Sequence, residues 1–229
     1  MKLALETIST CNRVCPTCLR NSYPDREKVA SWFEPSLLPM GIINKAFEQY
    51  AALPKTDSTV CLSHYNEPLM DARIPVIARV AKSYGFARIY LNTNGDFLTD
   101  EIAKSLDGVL DRIRISFRKG KFDSLFQKTE VVYTEYGHIA THFSPEFDVE
   151  KLSGQYRNNP CFEPARRIII NHEQRFLLCC EDIVGEFDLG TFPGTSIEEF
   201  LERRTPIIDD LSTPGGRNKH KYCFICPRA

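Results

Sequence analysis

Between residues 2 and 148, short apolar runs alternate with segments whose apolar positions recur every three or four residues. The runs at 3–8, 59–63, 87–91, 112–116, 130–134 and 137–142 read as strands. Between the first four lie helix-period segments: 42–53, with Ile43, Phe47 and Tyr50 on one face, then 72–84, and 99–106 with Thr99 as its N-cap. Strand and helix in alternation imply a parallel sheet with helical crossovers, because parallel neighbours cannot be joined by a tight turn. The pattern fits an α/β partial barrel or an open wound sheet. In either, reactive groups belong on loops at the C-terminal ends of the strands.

After residue 150 the pattern changes. Two strand-like runs, 166–170 and 175–178, flank a turn at 171–174, and a capped helix is expected over 196–204 with Ile197, Phe200 and Leu201 apolar. A stretch rich in Pro, Gly and basic residues over 205–221 then leads to Cys223 and Cys226. So short a unit has little core of its own, which points to a metal-stapled appendage. The expected division is 1–150 for the alternating domain and 151–229 for the appendage.

Composition narrows the function classes. The 229 residues suffice for a sizeable core, and 42% hydrophobic with 26% charged residues is ordinary for a globular chain. With 29 basic against 30 acidic residues the net charge is -1, so no nucleic-acid partner is expected. No apolar run reaches the roughly 18 residues of a membrane span, and the start lacks a signal peptide's basic and long apolar regions. A cytoplasmic, membrane-free protein is expected. Its unusual feature is nine cysteines. In a reducing compartment, clustered cysteines bind metal or do chemistry more often than they form disulfides. Cys11, Cys15 and Cys18 form one group; Cys161, Cys179, Cys180, Cys223 and Cys226 lie in the last third; Cys61 stands between.

Cys11-Asn12-Arg13-Val14-Cys15-Pro16-Thr17-Cys18 is a CxxxCxxC segment directly after the first strand. Three thiolates on one loop suit an iron-sulfur cubane with one iron left open, or a zinc ion that takes a fourth ligand from elsewhere. Three further segments bear on that choice. His64-Tyr65-Asn66-Glu67-Pro68-Leu69 follows the second strand, Asn92-Thr93-Asn94-Gly95-Asp96 follows the third, and the fourth ends at Ser116. In order and separation the four segments together resemble the radical S-adenosylmethionine (SAM) superfamily.

That resemblance implies a partial (β/α)6 TIM-like barrel and a [4Fe-4S] cluster on Cys11, Cys15 and Cys18. It also implies SAM contacts from Tyr65, Asn66, Glu67, Thr93, Asn94, Ser116 and the backbone of Thr17, with Glu67 receiving the methionine ammonium. Two departures stand out. Asn66 occupies the position of a usual glycine, and Thr17 that of an aromatic which would stack on adenine. The later cysteines resemble the family's short auxiliary-cluster appendage, the twitch domain, whose single [4Fe-4S] cluster would be held by Cys161, Cys179, Cys223 and Cys226. A structural zinc knuckle is the competing reading of the Cys223-x-x-Cys226 pair.

Within the superfamily, the resemblance is greatest to enzymes that dehydrogenate a secondary alcohol of an amino-cyclitol. It runs through Tyr65 with Glu67-Pro68-Leu69, Thr93-Asn94-Gly95-Asp96-Phe97-Leu98-Thr99, Val131-Val132-Tyr133 and the spacing of seven cysteines. It implies an oxidoreductase for a small polar substrate, an electron donor such as flavodoxin or ferredoxin, and an auxiliary cluster that accepts an electron. Candidate catalytic residues are His142 as proton acceptor, Cys180 as a thiol beside a ligand, and Arg118, read either as a holder of a substrate carboxylate or phosphate or as the partner of an acidic neighbour or of SAM's carboxylate. Cys61 reads as a small buried hydrophobe. The alternatives are a maturase or epimerase acting on a ribosomally made peptide or a sugar, and a non-catalytic zinc-binding module. The first strand starts within a few residues of Met1, so a leader-binding module is not expected.

Overall fold

In the computed structural model, which describes residues 1–16, 18–54, 58–116, 118–134, 158–224 and 226, the alternation becomes one sheet with helices against it. In chain order the described elements are β1 (Lys2–Leu5), α1 (Leu19–Ser22), α2 (Met40–Ala52), β2 (Thr59–Cys61), α3 (Ile74–Ser83), β3 (Arg88–Thr93), α4 (Asp100–Leu106) and β4 (Arg112–Ser116). They continue as β5 (Glu130–Thr134), β6 (Arg167–Ile170), β7 (Phe176–Leu177), α5 (Ile197–Leu211) and α6 (Lys221–Phe224). The strand order is β5-β4-β3-β2-β1-β6-β7, parallel throughout except for the antiparallel β6–β7 hairpin. The expected strand at 137–142 and the expected boundary near 150 lie outside the described residues.

Alternation along the strands sorts the two faces. Leu3, Leu5, Val60, Leu91, Ile113 and Ile115 are fully buried against Phe47 and Tyr50 of α2, Ile77 and Ala81 of α3, and Leu106 of α4. The opposite face carries Ala4, Cys61, Tyr90, Ile169 and Leu177, which the register aligns side by side and which pack as a separate buried cluster. Cys61 is 3% exposed, in keeping with its reading as a core residue.

Three elements differ from the sequence expectation. β1 stops at Leu5, because residues 7–9 leave the sheet and pair with 36–38: Leu38 N–H donates to Thr7 O at 2.9 Å and Ser9 N–H to Ser36 O at 2.9 Å. The helix expected to end at 204 runs on to Leu211 through Pro206. Proline removes the bond to the carbonyl one turn back and its ring crowds that carbonyl; against this, Thr205 Oγ1 donates to Leu201 O at 2.8 Å, and Leu211 at the far end is fully buried. Finally, the expected hairpin forms, and its first strand lies parallel to β1 in register Lys2–Arg167 to Leu5–Ile170, so it widens the main sheet.

Candidate active site

The cysteine loop leaves β1 at the C-terminal end of the sheet. Thr10 O accepts Glu67 N–H at 2.9 Å, which ties the loop's start to the segment after β2. Arg20, only 1% exposed, donates to Cys11 O at 3.4 Å, to Thr10 Oγ1 at 3.3 Å and to Trp32 O. Asn21 Nδ2 donates to Cys15 O at 3.1 Å, and Arg13 N–H reaches Cys11 Sγ at 3.4 Å. Cys18 is the N-cap residue of α1. Burial raises the thiols of Cys11 and Cys18, the latter to about 11, and the neighbouring cysteines add to this while Arg20 opposes it. A soft metal must therefore displace protons here, as thiolate coordination requires.

Glu67 is the hub that joins this loop to β3. It is 2% exposed, and its carboxylate accepts from Leu69 N–H at 3.0 Å, Thr93 Oγ1 at 2.6 Å and Asn94 N–H at 2.7 Å. A carboxylate has about four lone-pair sites, so one acceptor site is left for a further donor. Burial raises its pKa and the three hydrogen bonds counteract this. The turn it grips needs glycine: Gly95 has φ +75, and a Cβ there would meet Ile115 Cγ2 at 3.0 Å.

Beyond that turn, Asp96 takes Arg13 in a bidentate pair, both bonds 2.7 Å, together with Asn12 Nδ2 at 2.8 Å and the Arg118 guanidinium. Arg13 holds the Asp96 carboxyl far below the usual range, with Asn12 and Arg118 adding to it. Asn94 Nδ2 donates to Asn12 Oδ1 at 2.8 Å and lies 3.8 Å from Cys11 Sγ. Of the two roles considered for Arg118, it takes the pairing with an acidic neighbour, and it also donates to Asn94 O at 3.2 Å. Ser116 ends β4 opposite Thr134, one residue beyond the Thr93–Ile115 register pair.

Between this end and the second cysteine group lies a buried polar cluster. Tyr65 stacks on Trp32, donates its hydroxyl to Cys180 O at 2.6 Å, and its N–H reaches Glu6 Oε1 at 3.1 Å. Glu6 Oε2 pairs with His172 Nδ1 at 2.8 Å. Burial works to raise the Glu6 carboxyl, but the bond and charge of His172 prevail and hold it low. Burial also pushes His64 down to about 4, so its ring is neutral. Among the described residues, His64 Nε2 and Asn66 Nδ2 are buried without partners. An orphaned donor on the residue before Glu67, and a spare acceptor on Glu67 itself, are the two groups that a zwitterionic ligand head requires.

Cys161, Cys179, Cys223 and Cys226 line one cavity with Arg217 and Tyr222. Cys161 is held by its N–H to Leu211 O at 2.7 Å, Cys226 N–H bonds Cys223 O at 3.2 Å, and Cys179 Sγ accepts Glu181 N–H at 3.4 Å. Burial pushes Cys223 up to about 12, raises Cys161, and lifts Cys179 well above its usual value. Cys180 does not line this cavity; it is 9% exposed and faces Tyr65 through its carbonyl. Among the described residues no three acidic, histidine or cysteine side chains close on a point as a single ion requires. Four thiols around one void form a donor set that fits a larger soft cluster.

Thr17 and His142 lie outside the described residues. Asp96, Arg13, Glu6 and His172 are residues that sequence reasoning left without a role. The motif contained Arg13 and Asp96, but nothing in the sequence signals a pair 83 positions apart, or Glu6 with His172 at 166.

No family model matches the chain, and no curated protein does. Solved structures of radical SAM enzymes match in fold. BtrN in complex with AdoMet and 2-DOIA has a TM-score of 0.77 at 21% identity, covering 100% of this chain and 93% of BtrN. Native anSMEcpe with bound AdoMet has a TM-score of 0.63 at 10% identity, covering 99% and 88%. Streptococcus suis SuiB bound to S-adenosylmethionine has 0.51 at 9%, covering 99% and 72%. The chain has the α/β fold of these enzymes.

Proposed function

We propose that the protein is a radical SAM oxidoreductase that dehydrogenates an alcohol of a small polar metabolite. The observation that carries this reading is the pairing, on one sheet, of a three-cysteine loop tied to Glu67 and Asn94 with a separate cavity lined by four cysteines. On this reading the sheet is a partial barrel and the segment around the hairpin a twitch domain. Cys11, Cys15 and Cys18 hold one [4Fe-4S] cluster, and Cys161, Cys179, Cys223 and Cys226 hold the other. BtrN, a radical SAM 2-deoxy-scyllo-inosamine dehydrogenase, supports it through fold alone.

With both clusters and SAM bound, the chemistry supplied would be a 5′-deoxyadenosyl radical that takes the carbinol hydrogen, with the second cluster accepting the remaining electron. This chain's residues bind and aim. The spare acceptor of Glu67 and the free amide of Asn66 orient the methionine head, helped by Tyr65, Thr93, Asn94, Ser116 and Thr17. Trp32, Tyr65 and the Glu6–His172 pair wall the space between the cysteine groups and exclude water. His142 is the candidate proton acceptor; Cys180 would return a hydrogen atom only in the epimerase alternative, where no ketone forms. A flavodoxin or ferredoxin as reductant and a cytoplasmic location belong to the same reading.

The test is anaerobic reconstitution followed by incubation with SAM, dithionite and candidate amino-cyclitol or sugar alcohols. The reading expects about eight irons per chain, two cubanes' worth, with release of 5′-deoxyadenosine and a ketone, and deuterium passing from the carbinol carbon into 5′-deoxyadenosine. Stoichiometric zinc in colourless protein would overturn it. Label transfer from a peptide and from no alcohol would shift the substrate class toward peptide modification.

A further inference from the structure

The N-terminal ends of the strands, opposite the cysteine loop, form a second cleft of about 270 Å³ lined by Lys2, Arg88, Tyr90, Arg112, Arg114 and Arg166 among others. Register explains the gathering. Lys2 aligns with Thr59 and Thr59 with Arg88, Tyr90 aligns with Arg112, and Arg114 is two residues on, so these side chains share the sheet face opposite the one that packs on α2, α3 and α4. The buried layer of Ala4, Cys61, Tyr90, Ile169 and Leu177 separates the cleft from the cysteine end.

Five cations line this space, in a chain whose net charge is -1. Among the described residues, two carboxylates reach its rim. Glu130 pairs with Arg112 at 2.7 Å, and Glu163 with Arg166 and Arg167 at 2.8 Å each. Lys2 donates to the Tyr90 hydroxyl at 3.1 Å. Among the described residues Arg88 and Arg114 make no direct ion pair, although both lie near enough to Glu130 to help Arg112 hold its carboxyl low, and the Arg114 guanidinium lies 5.3 Å over the Tyr90 ring. Burial lowers the Lys2 pKa first and Arg167 and Arg114 lower it further, while Cys61 and Glu163 oppose them. The two carboxylates offset only part of this charge, and the surplus of like charges repels itself unless a further anion lies among them. Guanidinium forks on an aromatic floor match the geometry of a phosphate group better than that of a lone carboxylate.

We propose that this cleft binds the phosphate of a small soluble molecule, with Arg88 and Arg114 as its principal ligands and Lys2 as a third cation. Arg88 and Asn94 are six residues apart along β3, roughly 20 Å at strand rise, so the ligand here is separate from whatever reacts at the cysteine end. The inference does not rest on the proposed radical chemistry.

The test is calorimetric titration of the full chain with sodium pyrophosphate at low ionic strength. Citrate serves as the carboxylate control, and sedimentation with phosphatidate-containing vesicles as the lipid control. The expected result is one pyrophosphate per chain, binding that weakens as salt is added, and about tenfold or greater loss of affinity in Arg88→Gln/Arg114→Gln. Arg79→Gln, on exposed α3 surface, should leave affinity unchanged. If the double variant fails to fold by circular dichroism, exposed Arg88→Gln alone carries the comparison. No saturable binding, equal binding of citrate, an unaffected variant, or sedimentation with vesicles without pyrophosphate binding would each overturn the proposal.

Discussion

Glu67 makes three hydrogen bonds from a nearly fully buried position, and each of its donors belongs to an element that must be placed before a ligand can bind. Glu67→Gln replaces one acceptor oxygen with a donor facing Thr93 or Asn94. It is expected to cost on the order of 1–3 kcal/mol, seen as a midpoint drop of several degrees in thermal unfolding. Thr93→Val removes two bonds, the one to Glu67 and the one accepted from Gly95 N–H at 3.0 Å, and should cost on the order of 1–3 kcal/mol. The double variant should lose less than the sum, because both act on one contact; full additivity would deny that the hub exists. His64 gives a pH dependence. Its pKa is lowered to about 4 from a usual 6.5, so the unfolded chain takes up a proton first as pH falls. The stability that neutral His64 contributes is whole above about 6.5, and is lost progressively between there and about 4. In His64→Asn, acid unfolding titrated over that window should be shallower than in the parent chain; an identical slope would show that the ring is not the group responsible.

At the scale of elements, helix α5 is the clearest case of local code. Ser196 Oγ accepts Glu199 N–H at 3.1 Å while the Glu199 carboxylate accepts Ser196 N–H at 2.7 Å, a reciprocal capping box. Ser196→Ala should cost about 1 kcal/mol, read from denaturant midpoints at constant slope; no change would mean that tertiary packing alone sets the helix start. That start was legible in the sequence, as were β4 and β5 to the residue and Thr99 as the cap of α4. The far end of α5 was not, because Pro206 argues locally for a stop, while burial of Leu211 and the Thr205 hydroxyl bond favour continuation. The early end of β1 was equally hidden. Residues 7–9 satisfy the same apolar pattern in the sheet or paired with 36–38, and the choice between them depends on a partner nearly thirty positions away. In the candidate site, residues grouped by short spacing were legible: the three-cysteine loop, Glu67, and the Thr93 to Asp96 turn. The contacts that lock these groups together, Arg13 with Asp96 and Glu6 with His172, join distant positions of opposite charge among many such residues in a nearly neutral chain.

Across the whole molecule, the decisive feature is β6 beside β1. Because that pairing is parallel and four residues long, the segment that carries the second cysteine group is hydrogen-bonded to the strand that delivers the first. Ile168, Ile170, Phe176 and Phe200 share one core with Leu3, Leu5 and Phe47. The two cysteine groups therefore belong to one cooperative unit, and a ligand at either should stabilise both, since anything that binds only the folded chain raises its stability by mass action. Cys223→Ser/Cys226→Ser tests this directly. On the proposed two-cluster reading, the variant should after anaerobic reconstitution lose about half its bound iron yet keep the visible absorbance of the other centre. It should unfold in a single transition at a lower midpoint, whether followed by far-ultraviolet circular dichroism or by loss of that absorbance. Two separated transitions, with the remaining absorbance unaffected by the first, would mean that the sheet does not couple the halves. In that case the contacts between β1 and β6 would align two independently stable bodies.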